Sequence, residues 1–422
     1  MKRHLKNFTV ATAAAAKTLA RGTFTLGIYF GVVSTCVLLA GKAIADPFVA
    51  PPHVGPRLIQ EDVRIPAPGG GYEIAATILR PDGVGPFGAV VLNHGVPGSE
   101  RERLRESAAA DFNAAAPVFA RRGYVVVMPM RRGFGATGGA FAEDAGPCRN
   151  PNYMRAETEA SRDVMAAYEY ARNLPYVDGN RMILAGQSAG GIVSMFAAAT
   201  HEPKGLVAVL AFAAGRGGNP DLRPGTPCAV EPVARVFDAM GSKIKVPVLM
   251  HYAENDKYFG PATTKLWHER FVAAGARAEF VMQPAFGKDG HYLFGDIVGV
   301  RWWLPAVERF LARNNVAFDR LDSPAQPLFA KLPLEQTDSC RALYRAFLEA
   351  PAPRAYAVSL DGRCGFAGAM QDATNVALKE CRSVSGGSCA LYAVDSEVVW
   401  KSDEQPTKVA AQPKVNSSAG SR

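Results

Sequence analysis

Residues 181–191, Arg-Met-Ile-Leu-Ala-Gly-Gln-Ser-Ala-Gly-Gly, constrain the fold of this chain more than any other stretch. An apolar run at 182–185 breaks into Gly186-Gln187-Ser188-Ala189-Gly190, and a helix-like run at 192–200 follows. Strand, sharp turn and helix in that order form a nucleophile elbow. Its glycines let strand and helix pass close together and leave the serine hydroxyl exposed at the top of a sheet. The pattern predicts Ser188 as a covalent nucleophile. A serine needs a base to take its proton and an acid to orient that base, so two partners must come from elsewhere in the chain.

The rest of the sequence supplies a matching frame. Residues 62–66 and 72–79 flank Gly69-Gly70-Gly71 and read as a β-hairpin. Apolar strand-like runs follow at 88–93, 124–130, 206–212, 246–252 and 278–283. Helical spacing covers 104–122, 155–173, 261–274 and 296–314, while the Gly/Pro-rich stretch 215–227 reads as loop. Continuous apolar strands alternating with helices predict an α/β fold, a mainly parallel sheet covered on both faces. This catalytic domain spans 46–320. A proline-spotted linker at 321–335 leads to a small cysteine-containing α+β module at 336–400, with a helix at 371–381 and a strand at 390–394. Residues 401–422 are polar and aperiodic, the composition of a disordered tail.

Charge and cysteines bear on compartment. The formal charge of +8 includes six basic residues before residue 46, where no acid occurs; the remainder is near +2 and gives no reason to expect nucleic acid. Basic residues, an apolar run at 26–40 and Ala43-Ile44-Ala45 before Asp46 predict an export signal at 1–45. An N-terminal membrane anchor is the alternative, although Ser34 and Thr35 interrupt the apolar run. Beyond Cys36 an even set of six cysteines remains, as disulfides in an oxidising compartment would leave. Proximity pairs Cys381 with Cys389 and Cys340 with Cys364, leaving Cys148 and Cys228. No C-x-x-C pair occurs, so zinc is disfavoured; no metal or organic cofactor is implied.

The base belongs in a loop after a late strand. His291 lies in such a loop, Gly287-Lys-Asp-Gly-His-Tyr-Leu-Phe294, and is preferred to His268, which sits within an apparent helix. The acid follows the strand at 246–252. Asp256 is the first choice and Glu254 the second, and Asn255-Asp256 also suits a plain turn. An oxyanion hole needs two N–H donors. The N–H of Ala189 follows the nucleophile directly, and that of Val96 follows His94-Gly95; Pro97 cannot donate. Arg131 and Arg132 follow the strand at 124–130. A substrate carboxylate is one candidate partner for them, and bracing of loops is the commoner role.

Taken together, His94-Gly95, Gln187-Ser188, Asp256 and His291 resemble the α/β-hydrolase superfamily. The run Asp178-Gly-Asn-Arg-Met-Ile-Leu-Ala-Gly186 is similar to its dienelactone-hydrolase-like and prolyl-oligopeptidase-like branches. The resemblance covers about 60–315. It implies a serine hydrolase acting on small esters or short peptides, although dienelactone hydrolases proper use cysteine where this chain has Ser188. Ala377-Leu-Lys-Glu-Cys381 with Cys389 is similar to small exported modules of unknown function, which implies packing or cell-envelope association and no activity. An inert fold used for binding in the envelope is the competing class.

Overall fold

The computed structural model describes residues 57–321 and 337–400, apart from Pro68, Pro351, Ala369 and Ser396. The expected signal, most of the linker and the expected tail lie outside the described residues. Eight strands form the main sheet: β1 (Leu58–Pro66), β2 (Glu73–Pro81), β3 (Phe87–Asn93), β4 (Tyr124–Pro129), β5 (Val177–Gln187), β6 (Leu206–Phe212), β7 (Val248–Ala253) and β8 (Ala278–Gln283). Their spatial order is β1-β2-β4-β3-β5-β6-β7-β8. The β1–β2 and β2–β4 pairs are antiparallel and every later pair is parallel. This is the α/β-hydrolase fold.

Helices cover both faces because the central strands are apolar on both sides. Residues of β3, β4 and β5 divide between two cores: Val91, Val127 and Leu184 face one, Val90, Val126 and Ile183 the other. On the first face lie α4 (Tyr153–Arg172), α5 (Ala189–His201), α6 (Val230–Gly241) and α7 (Pro261–Ala273); on the second, α8 (Val300–Arg313) packs Trp303 and Phe310 against the sheet.

The helical spacing at 104–122 resolves into two short pieces rather than one helix, α2 (Ala108–Asp111) and α3 (Ala116–Ala120), with α1 (Glu100–Arg103) just before them. Ser107 caps α2 through its hydroxyl, and Pro117, which lacks an N–H, starts α3 afresh. The C-terminal module adds α9 (Asp338–Glu349) and α10 (Ala373–Val384) to an antiparallel sheet of β9 (Arg354–Ser359), β10 (Cys364–Gly368), β11 (Cys389–Val394) and β12 (Glu397–Val398), in the order β10-β9-β11-β12. Disulfides join Cys340 to Cys364 and Cys381 to Cys389 within it, and Cys148 to Cys228 in the main domain. The module is fastened to the main domain by charge. Glu349 accepts from Arg122 at 3.1 Å and from Arg320 at 2.5 Å, while Arg121 donates to the Ala350 carbonyl at 3.2 Å.

Candidate active site

Parallel sheets bind ligands beyond the carboxyl ends of their strands, where the chain switches direction. Here the switch is at β3, whose neighbours are β4 on one side and β5 on the other. Asn93, the last residue of β3, is in register with Gly186 of β5, so His94-Gly95-Val96 and Gln187-Ser188 leave the sheet side by side.

The elbow between β5 and α5 is tight. Ser188 has φ 58° and ψ −124°, a conformation that costs a non-glycine residue about 1–3 kcal/mol and persists only where its surroundings impose it. A Cβ on Gly190 would stand 1.9 Å from the Asn93 carbonyl oxygen, and one on Gly186 would stand 2.4 Å from that of Gly190. Both positions therefore require glycine. Beneath the turn, the Asn93 amide donates to Ser194 Oγ at 2.9 Å, and Ser194 Oγ donates to the Gly190 carbonyl at 2.7 Å.

Ser188, Val96 and His291 line one pocket of about 370 Å³. His291 Nδ1 lies 3.0 Å from Asp256 Oδ2 and 3.1 Å from Oδ1. Asp256 Oδ1 also accepts the N–H groups of Tyr258 at 2.7 Å and Phe259 at 2.9 Å, which fix the carboxylate before it meets the ring. With Nδ1–H donated to Asp256, Nε2 is the unprotonated nitrogen. Tyr258 stacks on the imidazole at 4.0 Å between centroids, and the Gln187 side chain donates to the His291 carbonyl at 2.5 Å. Among the described residues no hydrogen bond joins Ser188 Oγ to His291; such contacts often tighten only when substrate binds.

Glu254 is exposed and donates its backbone N–H to Gln283, away from His291. His268 sits on α7 against Phe280 and does not line the pocket. Of the residues weighed from sequence, Asp256 and His291 are the acid and the histidine brought together. Ala189 is the first residue of α5, where an N–H has no intrahelical acceptor. The Val96 N–H donates to no protein acceptor among the described residues.

Arg131 and Arg132 have partners other than a substrate. Arg131 is fully buried, with Glu143 Oε1 2.6 Å from its Nε. Arg132 pairs with Glu159 at 3.1 Å and lies over the Tyr72 ring, and neither arginine lines the pocket. Both side chains are engaged by carboxylates of the protein itself, Glu143 and Glu159.

The pocket wall that the sequence did not disclose is acidic. Glu106, Asp111 and Asp296 line it and no lysine or arginine does. Burial, then a hydrogen bond and charge repulsion from Asp111, push the Glu106 carboxyl up to about 9. Glu106 lies between α1 and α2 and Asp111 ends α2, in a segment whose helical spacing does not mark them as pocket residues.

A family model described as the prolyl oligopeptidase family matches residues 110–214, a span that includes the elbow. Among solved structures the chain is similar to an esterase of Pyrococcus furiosus (17% identity, TM-score 0.45), covering 63% of this chain and 99% of that one. It is similar to acetyl xylan esterase 1 of Thermoanaerobacterium (17%, TM-score 0.41), covering 62% and 89%. It is also similar to dipeptidyl peptidase 4 of Porphyromonas gingivalis (20%, TM-score 0.43), covering 62% of this chain and 35% of that one. No curated protein matches. With its sheet order, its glycine-flanked elbow and the family match across that elbow, this chain has the α/β-hydrolase fold, and its residues 110–214 match the prolyl oligopeptidase family.

Proposed function

We propose that this protein cleaves carboxylic esters through an acyl-enzyme on Ser188, with His291 as base and Asp256 as the acid that orients it. The observation that carries this reading is the convergence of a strained Ser188 and the Asp256-paired His291 on one pocket. His291 Nε2 takes the hydroxyl proton as Oγ attacks the carbonyl carbon. Negative charge then develops on the carbonyl oxygen, and the Val96 and Ala189 N–H groups are positioned to receive it. Collapse expels the alkoxide, which takes the proton from His291. Water, deprotonated by the same nitrogen, attacks the acyl carbon; the second tetrahedral intermediate releases the acid and returns the proton to Ser188.

A pocket of about 370 Å³ suits a small acyl or alcohol group. Asp111 and Asp296 on its lining favour substrates without negative charge, because a substrate carboxylate would meet theirs in a partly desolvated cleft; Glu106, raised to about 9, adds no charge near neutral pH. A short-peptide hydrolase is the second reading, favoured by the match to the prolyl oligopeptidase family over 110–214. The deciding experiment is steady-state hydrolysis of neutral, cationic and anionic p-nitrophenyl esters beside peptide anilides, with Ser188→Ala as control. The ester reading expects neutral and cationic esters to exceed both anionic esters and anilides by at least about tenfold in kcat/KM, with turnover lost in the variant. Anilides turned over faster than every ester would favour the peptidase instead.

We further propose that the protein is exported and processed before Asp46. Three disulfides and the basic-then-apolar N-terminal sequence support this. N-terminal sequencing of protein from the periplasm or medium should begin at Asp46; retention of the uncleaved chain in membranes would favour an anchor.

A further inference from the structure

Four buried charged side chains close to the pocket have no part in the reaction as written. Arg131, Glu143, Arg216 and Glu157 alternate in sign along one chain of contacts. Glu143 binds Arg131 at 2.6 Å and Arg216 at 2.6 Å, and Arg216 binds Glu157 of α4 at 2.7 Å. They come from four separate segments, and the two that supply Glu143 and Arg216 are tethered to each other through Cys148 and Cys228. Filling the same volume with apolar residues is often neutral or stabilising, so a buried ion chain calls for a reason beyond stability.

The free end of that chain supplies one. Arg131 Nη1 donates to the His94 carbonyl at 2.8 Å and Nη2 to the Gly95 carbonyl at 3.3 Å. The Arg131 backbone N–H donates to His94 Nε2 at 3.1 Å, which leaves the proton on His94 Nδ1 to bond the Gly95 carbonyl at 2.8 Å. In a trans peptide unit the carbonyl of Gly95 and the N–H of Val96 lie in one plane and point in opposite directions. Whatever fixes the Gly95 oxygen therefore aims the Val96 N–H.

We infer that Arg131 is a positioning residue for catalysis: held by Glu143, it locks the Gly95–Val96 peptide plane so that the Val96 N–H stays directed at the developing oxyanion. This rests on the ester-hydrolase reading above. His94 Nδ1 shares the Gly95 carbonyl, and Arg131 holds His94 in turn through its backbone N–H and Nη1, so the lock depends on the arginine fork; a lysine reaches Glu143 or the carbonyls, not both.

The test is Arg131→Lys beside Arg131→Gln/Glu143→Gln. The double variant removes one charge of each sign and leaves the Arg216–Glu157 pair intact, so folding does not depend on tolerating an orphaned charge. For folded protein, judged by near-UV circular dichroism and a cooperative thermal transition, kcat on p-nitrophenyl butyrate should fall about 100-fold, in the range for loss of one oxyanion donor. KM should move by less than about threefold, because the donor acts on charge present only in the transition state. The second-order rate of fluorophosphonate labelling should fall in parallel with kcat. If the folded double variant keeps kcat within about threefold of wild type, or loses activity through KM alone, the inference is overturned whether or not Arg131→Lys folds. Absence of turnover by wild-type protein overturns the ester-hydrolase reading and this one with it; wild-type turnover with unaffected variants overturns this one alone.

Discussion

Asp256 does two things at once: it accepts two backbone N–H groups and holds the His291 ring by Nδ1. An asparagine there would keep the shape. Its amide would donate to Nδ1, however, move the proton to Nε2 and leave the ring unable to act as base. Asp256→Asn should thus lower kcat by roughly 10³–10⁴ while the thermal midpoint stays within a few degrees. Glu254→Gln, on an exposed side chain, should leave kcat unchanged. A drop on Glu254→Gln equal to that on Asp256→Asn would show that the acid has been misassigned. The choice between these carboxylates was legible only in part. The sequence placed both just after one strand, but the turn that buries Asp256 and exposes Glu254 depends on hydrogen bonds to Tyr258 and Phe259. Tyr258 itself gave no signal, since a tyrosine near a turn has many ordinary uses until a histidine 33 positions on stacks against it.

Elements were legible where one force dominated their sequence. Strands such as β6, Leu-Val-Ala-Val-Leu-Ala-Phe, are buried on both faces and read directly as apolar runs. The elbow was legible because its glycines answer a steric demand. Gly190→Ala tests this by the sign of its effect. At an ordinary helix position alanine stabilises by about 1 kcal/mol, but here the added methyl meets the Asn93 carbonyl. The variant should lose about 2–3 kcal/mol or more in denaturant melts, and a gain would mean that strand and helix do not approach as described. Elsewhere competing forces hid the structure. In the C-terminal module β9 and β10, Arg-Ala-Tyr-Ala-Val-Ser and Cys-Gly-Phe-Ala-Gly, are rich in small residues of poor strand propensity; sheet pairing and the Cys340–Cys364 bridge fix them. Helix α6 is masked in the sequence because it begins at the end of a Gly/Pro-rich loop and carries Pro232 in its first turn.

At the scale of the molecule, the oxyanion loop and the buried ion chain share a dependence on pH. Burial, reinforced by Arg131, lowers His94 from 6.5 to about 3, so the folded protein keeps it neutral while the unfolded chain takes up a proton below 6.5. Burial opposes ionisation of Glu143, but Arg131 and Arg216 prevail and hold its carboxyl near 2 against an ordinary 4.5. The His94 contribution is present above 6.5 and declines as pH falls toward 3; that of Glu143 is present above 4.5 and is lost as pH falls through 2. Glu106, whose carboxyl is raised to about 9, acts in the opposite sense and offsets His94 between pH 6.5 and 4.5, so thermal midpoints should decline below pH 4.5, and His94→Gln should lessen that decline. A wild-type profile level down to pH 3 would contradict this account of the buried network. The central claim, that Ser188 is the nucleophile of a working site, is tested most directly by fluorophosphonate labelling with peptide mapping by mass spectrometry. The account predicts one adduct per chain, on the peptide containing Ser188, with labelling lost in Ser188→Ala and strongly slowed in His291→Ala. An unlabelled wild-type protein, or an adduct that persists in Ser188→Ala, would contradict it.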